Sequence, residues 1–147
     1  GQPDKAEKYY LDAIEIYERL VKKNADAYEP ALAMSYNNAG IFYSDHGQSD
    51  KAEKYYLDAI GIYERLVEKN ADAYEPALAV SYISYYFLKK DKTYLIKAYE
   101  IAKRRQDDPR CRYIVEFAES HKDSLFSGKP RKRERLRRFF RPRSKKR

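Results

Sequence analysis

The sequence predicts an all-α protein, a solenoid of antiparallel helical hairpins with a C-terminal capping helix and a basic tail. Three observations carry that expectation. Residues 1–36 return as residues 47–82 with only four differences, Pro3/Ser49, Glu15/Gly61, Lys22/Glu68 and Met34/Val80. A 46-residue spacing lies in the range of stacked repeats, whose units cannot bury an apolar face alone. Within each copy the apolar residues recur at steps of three and four, the period of a helix with one buried stripe. The composition agrees: charged residues make up 37% and apolar residues 43% of the 147-residue chain, and the mean hydropathy is -0.92. That balance suits helices with one wet face.

The first helix of the second copy is the clearest element. Asp50 and Glu53 form an acidic capping box, which Asp4 and Glu7 repeat in the first copy. Behind the cap, Ala52, Tyr55, Tyr56, Ala59, Ile60, Tyr63 and Leu66 fall on one face, and the helix should run to about Lys69. Asn70 is expected to close it in a left-handed conformation and Asp72 to open the next, with Pro76 near its first turn. In the first copy the partner helix spans roughly Ala27 to Asp45 and ends at Gly47.

After Tyr82 the copies diverge, and Tyr86 stands where the first has Gly40, so that helix should pack differently. Tyr94, Ile96, Ala98, Ile101 and Ala102 read as a worn helix aligned with Tyr55 to Tyr63 at a spacing of 39. Asp108 and Pro109 then begin a capping helix, whose apolar face is Cys111, Ile114, Val115, Phe117, Ala118, Leu125 and Phe126, with its end marked by Gly128 and Pro130. The domain expectation is repeats over 1–105, the cap over 106–128 and a basic tail over 129–147. The chain opens at Gly1, the counterpart of Gly47 inside a repeat, which reads as a fragment or processed product.

Tyr36, Ala39, Gly40 and Tyr43 in one helix, followed by Ala52, Tyr56 and Ala59 in the next, resemble the tetratricopeptide repeat family. The resemblance covers about residues 1–105 and implies a right-handed superhelix in which small residues let two helices approach while aromatic rings fill the gaps. Large residues at those sites would push the axes beyond the usual 8 to 10 Å. The family unit is usually 34 residues, so a 46-residue spacing implies about twelve extra. Longer units with an Asn-Asn pair like Asn37-Asn38 occur in kinesin light chains and many bacterial members.

The resemblance also implies a function, the binding of an extended or helical peptide on a concave face lined by the first helix of each unit. Carried onto this chain, the groove residues are Met34, Asn37, Asn38, Ile41, Ser44 and Asp45, then Val80, Ile83, Ser84, Phe87 and Lys90. Asn38 is the leading candidate, since a carboxamide both donates to and accepts from a peptide backbone. The alternative is that Asn37 and Asn38 are ordinary exposed helix residues. Members that clamp a C-terminal carboxylate place cations near the asparagine, and Met34 and Val80 stand where those cations would be needed, so no such clamp is expected.

Charge divides along the chain. Residues 129–147 hold twelve Lys or Arg against one acid, net +11, and the whole chain is +8, which leaves -3 for residues 1–128. Repulsion should keep this tail unfolded when alone. Its candidate contact residues are Lys129, Arg131, Lys132, Arg133, Arg135, Arg137, Arg138, Phe139, Phe140, Arg141 and Arg143. Three readings stay open: a solvated tail without a specific ligand, a nucleic-acid contact, or an anchor to an anionic membrane or acidic protein.

Chemistry is sparse by comparison. His46 and His121 lack a second ligand at helical spacing, Cys111 is the lone cysteine, and the five glycines form no phosphate loop. The expectation is therefore no enzyme, no cofactor and no metal. Carboxylates such as Glu64 and Glu68 sit near Arg65 and Lys69 at the spacing of surface ion pairs along one helix. Sixteen tyrosines without a tryptophan fit a core whose hydroxyls reach the rim better than a binding surface. No run approaches the roughly 18 apolar residues of a membrane span, and one cysteine fits a reducing, cytoplasmic setting. The first helix, lacking a partner on one side, is open to self-association or to further repeats.

Overall fold

The computed structural model describes residues 1–122; Leu125, Phe126, Gly128, Pro130 and all of the basic tail lie outside the described residues. It holds α1 (Gln2–Lys23), α2 (Ala25–Asp45), α3 (Ser49–Lys69), α4 (Ala71–Lys89), α5 (Lys92–Ala102) and α6 (Pro109–Ser120), and no strand among the described residues. Each helix packs on the next in chain order, with α6 also against α4 and α2 touching α4. The pairs run antiparallel: Tyr36 and Tyr43 of α2 donate to Glu18 and Glu7 of α1. The chain is thus a solenoid of stacked antiparallel helical hairpins over the described residues.

Single asparagines make the tight turns inside the hairpins. Asn24 and Asn70 adopt extended backbones, with φ -152° and -151°. Each donates its N–H to a carbonyl of the finished helix, Leu20 or Leu66, at 2.9 Å. Each side chain then accepts from the third residue on, Ala27 or Ala73, at 3.1 Å. Asn70 is therefore not left-handed, and Asn70 rather than Asp72 caps α4. One residue satisfies orphaned groups of two helices at once. Because the caps act this early, α2 begins at Ala25, two residues before the expected start, and Pro30 and Pro76 lie inside their helices.

The expected acidic capping boxes do not form: Asp4 lies at the third position of α1 and accepts from the Gly1 amino group at 3.3 Å, and Glu7 and Glu53 bond between helices instead. α3 starts at Ser49 behind Gln48, which makes no side-chain cap bond. Asp50 lies in the first turn, where the helix dipole favours it. Glu53 instead accepts from Tyr85 Oη at 3.0 Å and Lys89 Nζ at 3.1 Å, and Glu7 accepts from Tyr43 Oη at 2.8 Å. Arg65 and Lys69 likewise reach across to α2, meeting Glu29 at 3.7 Å and Asp26 at 3.0 Å. Glu64 takes the Tyr82 hydroxyl at 2.6 Å.

Small residues sit where the helices meet. Ala52 and Ala59 are fully buried, and a Cβ on Gly40 would lie 2.6 Å from the Tyr56 ring. Gly47 turns the chain from α2 into α3 with φ +71°, a conformation glycine adopts without steric cost. Tyr43, Tyr56, Tyr63, Tyr82, Tyr85 and Tyr99 are buried, Tyr10, Tyr17 and Tyr55 half-buried, and Tyr9 exposed. Burial first, then the Glu7, Glu18 and Glu64 carboxylates, push the Tyr43, Tyr36 and Tyr82 hydroxyls far above their ordinary value, so they remain proton donors.

Lys90, a non-glycine residue at φ 56°, caps α4 just beyond its last residue, Lys89. Tyr86, in place of the glycine, turns its ring toward Phe117 of α6 at 6.3 Å. In α5 the buried residues are Leu95, Ala98, Tyr99, Ile101 and Ala102. α6 opens with Asp108 accepting from the Arg110 N–H at 2.8 Å, and it buries Cys111, Ile114, Val115 and Ala118 against the end of the stack.

Candidate functional site

α2 and α4 lie side by side over α3 and leave between them a groove of about 610 Å³. Its α2 wall is Pro30, Ala31, Met34, Asn37, Asn38 and Ile41; its α4 wall is Ala73, Tyr74, Ala77, Val80 and Ser81. Tyr63 of α3 contributes to the lining, as does Arg110 from the first turn of α6. The face is mostly apolar, and Met34 stands 55% exposed on it.

One buried hydrogen bond joins the two walls. Ser81 Oγ donates to Asn37 Oδ1 at 3.0 Å. Asn37 is 8% exposed, and its amino group, which has no partner among the described residues, borders the groove and solvent. Asn37 is thus a tie between units as well as a lining residue. Asn38, one residue on, is exposed on the groove. Ser35, the counterpart of Ser81 in the first copy, has no such neighbour and donates to Ala31 O of its own helix.

Among the described residues, Arg110 is the cation that lines the groove, and it is already engaged. Arg110 Nε and Nη2 hold the two oxygens of Asp108 at 3.0 and 2.8 Å. That hydrogen bonding, first of several causes, keeps the Asp108 carboxyl below its ordinary range. The groove therefore offers carboxamide and apolar contacts more than charge.

Of the residues expected to line a groove, the structure brings Met34, Asn37, Asn38, Ile41 and Val80 together. The others lie elsewhere. Ser44 and Asp45 are at the end of α2 beside Tyr56, whose hydroxyl burial and the Asp45 charge push up to about 12 against a lowering by Ser44. Ile83 is buried in the core and Ser84 half-buried. Phe87 packs edge-on against Phe117 of α6 at 5.0 Å, and Lys90 Nζ lies 5.6 Å over its ring. Phe87 and Lys90 thus form a separate aromatic patch with α6, because α6 packs on α4 where a further repeat would stand.

Pro30, Ala31, Tyr74 and Ala77 were not singled out in the sequence, although Pro30, Ala31 and Ala77 lie one turn before Met34 or Val80, and Tyr74 one turn before Ala77. Arg110 had no sequence signal, since only the docking of α6 carries it there. Cys111 is fully buried, and burial pushes its thiol up, which makes it a poor nucleophile. Among the described residues no group of three or more His, Cys, Asp or Glu could hold a metal ion, and no helix is long and apolar enough to cross a membrane.

Residues 1–65, which span α1, α2 and most of α3, match the family model of the tetratricopeptide repeat. No curated protein and no solved structure matches the chain.

Proposed function

We propose that this chain is a non-catalytic protein-interaction scaffold that holds a peptide segment of another protein in the groove between α2 and α4. Tetratricopeptide repeats serve in general as protein-interaction scaffolds, and the 46-residue unit with its Asn37-Asn38 pair favours the long-unit variant of the family. The observation that carries the reading is the groove itself. Apolar side chains Met34, Ile41 and Val80 offer contact area, while the Asn38 carboxamide and the outward amino group of Asn37 offer bonds to a peptide backbone. With Arg110 held by Asp108, a neutral guest with apolar anchors fits better than a charged terminus.

A peptide library displayed against the full chain tests this. The selected peptides should share apolar anchors, and their binding should weaken about tenfold or more in Asn38→Ala combined with Met34→Asp. Both residues are exposed, so neither change should alter folding. Peptides that bind the double variant unchanged would exclude the groove.

A second reading rests on the net +11 of residues 129–147, which would anchor the scaffold to nucleic acid or an anionic membrane. Deleting those residues separates the two. Peptide capture should persist, whereas any retention on single-stranded nucleic acid or acidic vesicles should disappear and, before deletion, fall steeply with salt.

A further inference from the structure

Each α2-type helix in this chain is gripped by the helix that follows it, and the grip recurs. On α2, Asp26 and Glu29 meet Lys69 and Arg65 of α3. On α4 the counterparts Asp72 and Glu75 meet Arg105 and Arg104 in the turn directly after α5, Arg105 at 2.6 Å from both carboxylates and Arg104 at 3.1 Å from Glu75. An aromatic contact repeats at the other end. Tyr55 of α3 lies against Tyr36 and Tyr43 of α2, at 5.8 and 5.6 Å. Tyr94 of α5 lies against Tyr82 and Tyr85 of α4, at 5.9 and 4.4 Å.

α1 carries the same parts with nothing in them. It packs mainly on α2, the helix after it, while α3 packs on both α2 and α4. Arg19 and Lys23 are the counterparts of Arg65 and Lys69 in the repeat and have no ion pair among the described residues. Tyr9, the counterpart of Tyr55, is 76% exposed, and Ile16 is 47% exposed where Ile62 is 7%. Leu11 and Leu57 act as an internal control, with 39% and 41% exposed; that side faces solvent in both copies. A cleft bounded by Ile16, Arg19, Leu20 and Lys23 opens on the uncovered face.

We infer that this face of α1 is a docking surface for one kind of occupant, the α2-type helix of another 46-residue unit. The charge pattern selects it. The guest must bring an acidic pair three residues apart in its first turns to reach Lys23 and Arg19, and tyrosines two turns apart to cover Tyr9. It must also bring a small residue opposite Tyr10, the counterpart of Tyr56. Among its described residues a second copy of this chain has no such helix to give, since its α2 is already held by α1 and α3, and its α4 by α3, α5 and α6. The inference is independent of the groove reading.

The test is to place a duplicate of residues 24–46 ahead of Gly1 in the full chain, which recreates the His46–Gly47 junction. The melting temperature should rise by about 5 °C, as a solenoid gains from each added neighbour. Arg19→Glu with Lys23→Glu should remove a substantial part of that gain while shifting the unextended chain by no more than about 1 °C, since an exposed unpaired cation contributes little. Changing the duplicate's counterparts of Asp26 and Glu29 to lysine should restore it. An added helix that brings no gain, or a gain indifferent to the charge reversals, would overturn the inference. So would a concentration-dependent dimer of the unextended chain, seen by sedimentation and abolished by Tyr9→Ala, which would make a second copy the occupant.

Discussion

Two glycines in equivalent helical surroundings should answer the same substitution with opposite signs. In a helix interior, Gly→Ala stabilises by about 1 kcal/mol through backbone entropy. At Gly61 a Cβ meets nothing within 4 Å, and the first copy already holds Glu15 at that position, so Gly61→Ala should deliver most of that gain. At Gly40 a Cβ would lie 2.6, 2.7 and 3.1 Å from three ring carbons of Tyr56. Ordinary carbon contacts are about 3.5 to 4.0 Å, so the ring must retreat by about 1 Å. Tyr56 is 3% exposed and has no open side to retreat into. Overpacking of this kind costs about 1 to 3 kcal/mol, and its upper half less the entropic gain leaves Gly40→Ala destabilised by about 1 to 2 kcal/mol. Urea unfolding followed by far-UV circular dichroism should therefore separate the two variants by about 2 to 3 kcal/mol. Because the clash is with one ring, Gly40→Ala and Tyr56→Leu should be non-additive, with the double variant better than the sum of the singles by at least about 1 kcal/mol. If Gly40→Ala stabilised the chain as Gly61→Ala does, the close approach of α2 and α3 would not be the reason for glycine there.

Two further outcomes follow from buried polar groups. Ser81→Ala strands the buried Oδ1 of Asn37 and should lower stability by about 1 to 2 kcal/mol in the same urea assay, whereas Ser81→Ala with Asn37→Leu should recover most of the loss. Burial pushes the Glu75 carboxyl up, but hydrogen bonds from Arg105 and Arg104 outweigh it and hold the group below its ordinary value of 4.5. The folded state therefore binds its proton at lower pH than the unfolded chain. The stabilisation is present above about pH 4.5 and lost as pH falls through the lower folded value. Thermal melts between about pH 6 and 3 should show a shallower acid loss in Glu75→Gln than in the unchanged chain; equal slopes would remove Glu75 from the acid response.

The period, the number of hairpins and the sites of close approach were legible in the sequence because they depend on local spacing. Ala52, Ala59 and Gly40 are small at helical intervals, and a large residue at any of them would force the helices apart. The caps were less legible. Asp50, Glu53, Asp72 and Asn70 all have side chains able to cap, and the outcome depended on competing partners from other helices: Tyr85 and Lys89 claimed Glu53, and Arg105 claimed Asp72. The groove was half legible for the same reason. Met34, Asn38 and Val80 lie on a face that periodicity reveals, whereas the placement of Phe87 and Lys90 depended on α6 packing beside them.

Sequence alone settled that the chain would form stacked antiparallel helices from a duplicated unit, because burial of a 3.6-residue stripe leaves a lone hairpin incomplete. Tertiary structure decided which polar side chains serve as ties between units and which stay exposed. Asn37 and Asn38 are neighbours of identical chemistry, yet a rotation of about 100° per residue turns one onto Ser81 of the next unit and the other toward solvent.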